Sequence, residues 1–337
     1  MIRVQGYQHS MHPLFINPLL QYVAILISSI VLLLYSGDRF VSASSSLATT
    51  FSIPKIFIGT LIVSFATSVP EIMVTIIATR SGSPDIAIGN AIGSYISNIG
   101  LVVGLTALIK PLRISMDILR KELPVLAIAL ACTIYLVTDG HLSPQDGIVL
   151  IVLFFVFVLY TLRYLRIHKE TLEPLLIKKD TKDISTYTVC WKFTLHAVLL
   201  LVSSNFIVYS ATNIAELLNI SEMIVGLTIV AIGTSLPELS TTIMSVFKGE
   251  DDIAIGNIIG SNVYCITLIL GIAILTTAEG INTERLWPEF LVMIISTTCL
   301  WLFSAKFDRT CQINRTEGCI LVAIFIIYLY TITTHMS

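Results

Sequence analysis

Apolar residues run in long stretches along this chain, and short groups of charged residues, prolines and glycines divide one stretch from the next. A helix that crosses a membrane needs about 20 mostly apolar residues. So many runs of this kind cannot all form the core of a soluble domain. The pattern predicts ten helices, near residues 18–43, 55–80, 85–109, 118–138, 146–166, 191–217, 222–247, 252–276, 286–304 and 317–333.

The composition supports a membrane protein. Of the residues, 55% are hydrophobic and 12% are charged, and the mean hydropathy is +0.87. Soluble domains carry about 25% charged residues. We therefore predict an all-α integral membrane protein with ten transmembrane helices. The chain has no basic, aromatic-interleaved stretch for nucleic acid, and its six cysteines show no paired metal spacing.

Lys and Arg predict the orientation, because these residues accumulate on the cytoplasmic side of membrane proteins. With the N-terminus outside, only Arg3, Arg80 and Arg285 of the 20 Lys and Arg face outward. The C-terminus and the 139–146 loop are then extracellular as well. The long polar loop at 167–190 is cytoplasmic.

Residues 59–108 repeat without a gap at 226–275, with roughly half of the positions identical. The chain is therefore expected to consist of a first five-helix repeat at 18–166, a linker at 167–190 and a second five-helix repeat at 191–333. Five is an odd number, so the second repeat enters the membrane upside down relative to the first. Inverted repeats of this kind build one central site from two halves and are typical of transporters.

The repeated segments place polar residues on one helix face, at spacings of three and four. Span two carries Ser64, Thr67, Ser68 and Glu71, and span seven carries Ala231, Thr234, Ser235 and Glu238. A charge in the middle of a membrane costs roughly 2.5–3.5 kcal/mol on insertion scales. No Lys or Arg lies inside these spans, away from their ends, to offset that cost. The two glutamates are therefore expected to meet a bound cation, unless both are protonated and hydrogen-bonded within the bundle.

Pro70 and Pro237 lie just before the two glutamates. A proline inside a helix removes one N–H and displaces the carbonyl four residues back, which here predicts free carbonyl oxygens at Ala66 and Gly233. Free carbonyls at membrane depth are tolerated where they line a cavity or bind an ion. Carboxylates, hydroxyls and carbonyls together form an oxygen shell that suits Ca²⁺ or Na⁺.

Spans three and eight carry a second repeated motif, GNAIGSYISN and GNIIGSNVYC. It adds Ser94 and Asn98 in the first copy, and Ser261 and Cys265 in the second. Its glycines have the small-xxx-small spacing that allows helices to approach closely. The asparagines that follow the first glycine of each copy, Asn90 and Asn257, either bridge helices or take part in the site.

These motifs resemble the α-repeats of the cation/Ca²⁺ exchanger superfamily, most nearly its prokaryotic Na⁺/Ca²⁺ exchanger-like members. The GTSLPE form at 233–238, its variant at 66–71 and the paired GN-x-x-GS motifs carry the resemblance. It implies alternating access through sliding of spans one and six, in a bacterial or archaeal inner membrane. It also implies the ligands Glu71, Glu238, Thr67, Thr234, Ser68, Ser235, Ser94, Asn98 and Ser261.

Two positions depart from the family pattern. The place of Cys265 normally holds an acid or an amide, and the place of Tyr95 normally holds Asn. A thiol is a poor ligand for hard cations, so Cys265 is either a ligand or a packing residue. Glycine at the last place of each GN-x-x-G favours Na⁺ over H⁺ coupling, because the Ca²⁺/H⁺ branch typically has Glu there.

The leading hypothesis is a Ca²⁺/Na⁺ antiporter, and Ca²⁺/H⁺ exchange, K⁺-dependent exchange and a cation channel stay open as alternatives. An enzyme is not expected, since the spans contain no His-Glu-x-x-His motif and no nucleophile–base pair. No cofactor is predicted. The expected partners are Ca²⁺, Na⁺ and the lipid bilayer, and no protein partner can be read from the chain, which is compatible with a monomer.

Overall fold

The computed structural model describes residues 18–82, 84–114, 118–167, 185–218, 231–277, 281–283, 286–305 and 311–335. These residues are almost entirely helical. We number the helices α1 (Pro18–Thr50), α2 (Lys55–Thr67), α3 (Val69–Arg80), α4 (Pro84–Ile109), α5 (Leu123–Val137), α6 (Pro144–Ile167), α7 (Thr186–Leu217), α8 (Ala231–Thr234), α9 (Leu236–Lys248), α10 (Asp251–Leu275), α11 (Trp287–Ser304) and α12 (Arg315–His335).

The apolar helices identify a membrane protein. Among the described residues, seven helices are long and apolar enough to cross a membrane, or eight when α2 and α3 count as one bent span. The helices α4 and α10 form the centre, since most of their residues are buried by the other helices. Both belong to the repeated segments, so the repeated motifs lie in the core of the bundle.

Two predicted boundaries are wrong. Helix α1 was expected to end at 43 but continues to Thr50, and α7 begins at Thr186, inside the predicted linker. The 33 residues of α1 span about 50 Å, more than the hydrocarbon thickness of about 30 Å. Residues 168–184 of the linker lie outside the described part of the chain.

Helices α1 and α7 pack against each other along their length in antiparallel directions. Ring pairs at successive levels show the register: Tyr22 with Tyr209, Tyr35 with His196, and Phe40 with Phe193, at centroid distances of 6.0, 6.1 and 4.8 Å. Their outer faces carry many exposed large apolar side chains, as expected for helices that face lipid.

In the described part of the chain, four two-residue strands occur beside the predicted helices. Strand β1 (Leu112–Arg113) pairs with β4 (Gln312–Ile313), and β2 (His141–Leu142) pairs with β3 (Ile281–Asn282). Each pair joins two interhelical loops and satisfies some of their backbone hydrogen bonds. The first pair joins two loops predicted to be cytoplasmic, and the second joins two predicted to be extracellular.

Ion pairs connect further segments that were assigned to one side. The Glu250 carboxylate forms an ion pair with Lys55 at 2.5 Å and accepts a hydrogen bond from the Ser45 hydroxyl at 2.9 Å. A second ion pair joins Lys248 to Asp38 at 2.8 Å. They tie α1 and the start of α2 to the loop between α9 and α10, all on the side predicted to be cytoplasmic.

Glycines bring α2 and α10 into backbone contact. A Cβ at Gly256 would lie 2.5 Å from the carbonyl oxygen of Ile56, and a Cβ at Gly260 would collide with the carbonyl oxygen of Thr60. The expected close approach through the second GN-x-x-G motif is therefore present. The corresponding approach of the first motif, to the beginning of span seven, falls on residues 222–230 and lies outside the described residues.

Candidate cation-binding site

Two helix breaks create the site. Helix α2 ends at Thr67 and α3 begins at Val69, with an angle of 43° between them. Helix α8 ends at Thr234 and α9 begins at Leu236. The breaks have the same backbone conformation, with φ and ψ of −83° and 7° at Ser68 and of −89° and 3° at Ser235.

The prolines explain where the new helices start. Pro70 and Pro237 lie in the first turns of α3 and α9, where the missing N–H breaks no hydrogen bond within the new helix. Glu71 and Glu238 follow directly and so lie in the first turn of their helices. The positive end of a helix dipole favours a carboxylate at this position.

The two carboxylates are buried and near each other. Glu71 is 1% exposed and Glu238 is 0% exposed, and each lies within electrostatic range of the other. The ion pairs found among the described residues lie elsewhere, at Lys55 and Lys248. No basic side chain of the described residues therefore neutralises the two glutamates by an ion pair.

Hydroxyl groups from both repeats surround Glu238. The Ser68 hydroxyl lies 3.2 Å from Glu238 Oε1 and 3.2 Å from the Ser261 hydroxyl, and Thr67 also faces this carboxylate. Residues of α2, α9 and α10 thus meet at one point.

Several buried oxygens here have no hydrogen-bond partner among the described residues. They are both carboxylate oxygens of Glu71, Oε2 of Glu238, the Ser235 hydroxyl and the Asn98 amide oxygen. A buried acceptor without a donor costs about 1–3 kcal/mol, and more when it is charged. A hard cation would satisfy this group of oxygens together.

Ser64, Ser94 and Thr234 are also buried. The Ser64 hydroxyl donates to the Thr60 carbonyl at 2.5 Å, while the Ser64 carbonyl accepts the Ser68 amide at 2.9 Å. Ser94 and Thr234 are 3% and 8% exposed. Ala231 begins α8, and only its backbone is described.

One of the two carbonyl oxygens released by the prolines has a hydrogen-bond partner. Gly233 O, which Pro237 releases, accepts a hydrogen bond of 2.8 Å from the Ser204 hydroxyl of α7. The expectation that this oxygen lines the site without a partner was wrong, because a neighbouring helix supplies the missing donor. Among the described residues, no side-chain donor is found for Ala66 O.

Asn90 and Asn257 bridge helices. Asn90 donates to the Glu71 carbonyl at 3.0 Å and to the Thr75 hydroxyl at 3.1 Å. Asn257 accepts from Thr67 at 3.1 Å and donates to Thr242 at 3.4 Å. Thr75 and Thr242 occupy equivalent places in the repeat, four residues after the glutamates. The sequence analysis missed both, although the two repeats carry the same residue at this place.

Cys265 and Tyr95, the two departures from the family pattern, lie in the same region. Cys265 is 1% exposed and is within electrostatic range of both glutamates and of Tyr95. The Tyr95 hydroxyl lies 2.6 Å from Thr297 Oγ1, which donates its own proton to the Met293 carbonyl at 2.8 Å. Tyr95 is therefore the donor in this pair, and its hydroxyl is directed to α11.

Comparison with known proteins identifies the family. The family described as sodium/calcium exchanger protein matches residues 21–163 and 188–334. The chain belongs to this family. The putative antiporter CaxA of Alkalimonas amylolytica is 39% identical over 308 residues, which cover 89% of this chain and 95% of CaxA. The sodium/calcium exchanger MaX1 of Methanosarcina acetivorans is 27% identical over 90% of this chain and 96% of its own length.

The fold of the exchanger family is also shared. A solved structure of the sodium-calcium exchanger NCX_Mj superposes with a TM-score of 0.79 at 30% identity, and covers 93% of this chain and 99% of its own. The predicted resemblance is thereby confirmed. The chain is a helical membrane protein of a family of cation/Ca²⁺ antiporters.

Proposed function

We propose that this protein is a secondary antiporter that exchanges Ca²⁺ for Na⁺ across the cell membrane by alternating access. One observation carries the proposal. Two buried glutamates lie in the first turns of two broken helices, among hydroxyl and amide oxygens, and no ion pair neutralises them. Membership of the exchanger family and the name of the relative MaX1 support Ca²⁺ and Na⁺ as the transported ions.

The proposed ligands are the twelve residues predicted from the repeats. Glu71 and Glu238 supply the charge, and the Thr67, Thr234, Ser68, Ser235, Ser94, Ser261 and Asn98 side chains supply further oxygens. Ser64 and Ala231 contribute through their carbonyls, and Cys265 completes the lining.

Charge balance explains why the site would exchange ions. The two carboxylates are neutralised by one Ca²⁺ or by two monovalent cations, whereas Ca²⁺ and Na⁺ together would leave excess positive charge in a low-dielectric region. Uncompensated buried charge is strongly unfavourable. Occupation by Ca²⁺ and by Na⁺ is then mutually exclusive, which is the requirement for antiport.

The proposed architecture is ten spans in two inverted halves, at 18–166 and 191–333, with both termini outside. The antiparallel packing of α1 and α7 agrees with the inversion, because these helices open the two halves. The strand pairs and the Glu250 ion pairs agree with the proposed grouping of the loops into two sides, since each joins segments assigned to the same side. In this proposal α1 and α7 slide together across the rest of the bundle.

Exchange of Ca²⁺ for H⁺ is the second candidate. Cys265 and Tyr95 occupy two places where relatives normally offer an oxygen ligand, and the Tyr95 hydroxyl is directed away to Thr297. Fewer oxygen ligands would favour a proton as the counter-ion.

Flux in proteoliposomes tests the function. With ⁴⁵Ca²⁺ outside, an outward Na⁺ gradient is expected to drive saturable Ca²⁺ uptake, and a pH gradient alone is not. Uptake that follows the pH gradient and ignores Na⁺ would establish Ca²⁺/H⁺ exchange, and uptake that needs K⁺ together with Na⁺ would establish the K⁺-dependent reaction. Passive, non-saturating flux without a counter-ion would indicate a channel.

Cys265→Asp should strengthen competition by Na⁺ more than it changes Ca²⁺ affinity, because an oxygen ligand returns to one side of the site. We expect the Na⁺ concentration for half-inhibition of ⁴⁵Ca²⁺ exchange to fall several-fold, because one interaction of about 1 kcal/mol changes an affinity about fivefold. Cys265→Asn tests an uncharged oxygen, and Cys299→Ser in α11 is the control. Coincident Na⁺ curves for wild type and all three variants would make Cys265 a packing residue.

A further inference from the structure

The hydrogen bond from Ser204 to Gly233 replaces a bond that Pro237 removes. In an uninterrupted helix the amide of residue 237 would donate to Gly233 O, but proline has no N–H. The Ser204 hydroxyl of α7 takes that place at 2.8 Å, and both residues are buried. A side chain of one helix therefore completes the backbone hydrogen bonding of another helix at its break.

Helix α7 lies directly on this break. A Cβ at Gly233 would collide with Cγ2 of Val208, one turn after Ser204 on the same face of α7. Gly233 is therefore needed for the close approach. A displacement of α7 by one residue, about 1.5 Å along its axis, would break the hydrogen bond unless the Gly233 peptide moved with it.

The first repeat lacks this arrangement. When the alignment of the repeats is extended toward the N-terminus, Ser36 corresponds to Ser203, Gly37 to Ser204 and Ala66 to Gly233. Gly37 has no side chain, and Ser240 of α9 lies in the space beside it, with its hydroxyl bonded to the Leu33 carbonyl at 3.1 Å. The two breaks thus differ in their attachment to the long helices.

We propose that Ser204 is a positioning residue that couples the axial position of α7 to the second half of the cation site. By holding the Gly233 carbonyl toward α7, it orients the peptide that leads into Thr234, Ser235 and Glu238. Displacement of α7 then changes the geometry of these ligands. This inference rests on the proposed function, because it assumes that the site binds the transported cation.

Ser204→Ala should raise the KM for Ca²⁺ about tenfold, which corresponds to about 1.4 kcal/mol, and change the maximal rate less than about twofold, because a buried hydrogen bond is lost. Ser203→Ala is the matched control. Its hydroxyl is equally buried but donates to Leu200 O of its own helix at 2.9 Å, so its KM should stay that of the wild type. Ser204→Thr keeps the hydroxyl and should restore most of the affinity.

A double-mutant cycle tests the cause. Pro237→Ala supplies an amide that can donate to Gly233 O, so adding Ser204→Ala in that background should change the KM less than about twofold. If Ser204→Ala alone does not fold, two other measurements decide whether Ser204 positions the ligands. One is the KM of Pro237→Ala compared with that of the double variant. The other is the KM of Ser204→Cys, whose thiol is a weak donor.

Three results would contradict either the proposed function or the role of Ser204. Wild type without Ca²⁺ flux would sink the proposed function and this inference with it. Wild-type flux with an unchanged KM in Ser204→Ala would overturn the inference alone. A lower melting temperature without a KM change would also overturn it, because it would make Ser204 merely structural.

Discussion

Glu71→Gln and Glu238→Gln are each expected to abolish Ca²⁺ transport and to leave a folded protein. Glutamine keeps the size of the side chain and its place in the first turn of α3 or α9, but it removes the charge that we propose binds the cation. Removing one partner of a buried charge interaction costs about 3–5 kcal/mol, which corresponds to a loss of affinity of roughly 150- to 4,000-fold. The measurement is ⁴⁵Ca²⁺ uptake into proteoliposomes at equal protein density.

Thermal melting in detergent separates loss of binding from loss of fold. Ca²⁺ should raise the melting temperature of the wild type, because a ligand that binds only the folded state stabilises it, and should leave that of both variants unchanged. Without Ca²⁺, Glu71→Gln should melt no lower than the wild type, since neither Glu71 carboxylate oxygen has a hydrogen-bond partner among the described residues. Glu216→Gln, at the exposed end of α7, is the control and should transport normally. Near-normal uptake by either site variant would contradict the assignment.

The repeats made much of the site predictable. A polar residue in an apolar span is costly, so polar residues that occur twice at equal spacing stand out from the background. Glu71 and Glu238, their flanking hydroxyls and the proline breaks could therefore be placed from sequence. The same logic would have found Thr75 and Thr242, whose hydroxyls accept hydrogen bonds from the side-chain amides of Asn90 and Asn257.

Other features depend on contacts that no local pattern reveals. Ser203 and Ser204 are adjacent serines in an apolar helix, and only the packing of α7 on Gly233 distinguishes them. Helix α1 was expected to end at 43, but it continues to Thr50. Within it, Asp38 pairs with Lys248 and Arg39 lies over the Tyr35 ring at 5.5 Å, which compensates both charges.

Gly260→Val is expected to prevent assembly of the core, and Gly260→Ala should have a smaller effect of the same kind. A Cβ at this position would collide with the Thr60 carbonyl and lie 2.8 Å from Ser64 Cβ, and the backbone of α2 cannot turn aside as a flexible side chain would. Extra methylenes in a packed core cost about 1–3 kcal/mol, and occasionally more. The measurements are the melting temperature and the monodisperse fraction after purification. Both should decrease from the wild type to the alanine variant and again to the valine variant.

The alanine variant links this packing to the site. Moving α10 away from α2 separates Ser261 from Ser68, which now lie 3.2 Å apart beside Glu238. The fraction of Gly260→Ala that folds should therefore bind Ca²⁺ more weakly than the wild type, seen as a smaller Ca²⁺-dependent rise in melting temperature. If both variants melt as the wild type does and keep its response to Ca²⁺, the contact between α2 and α10 does not position the hydroxyls around Glu238.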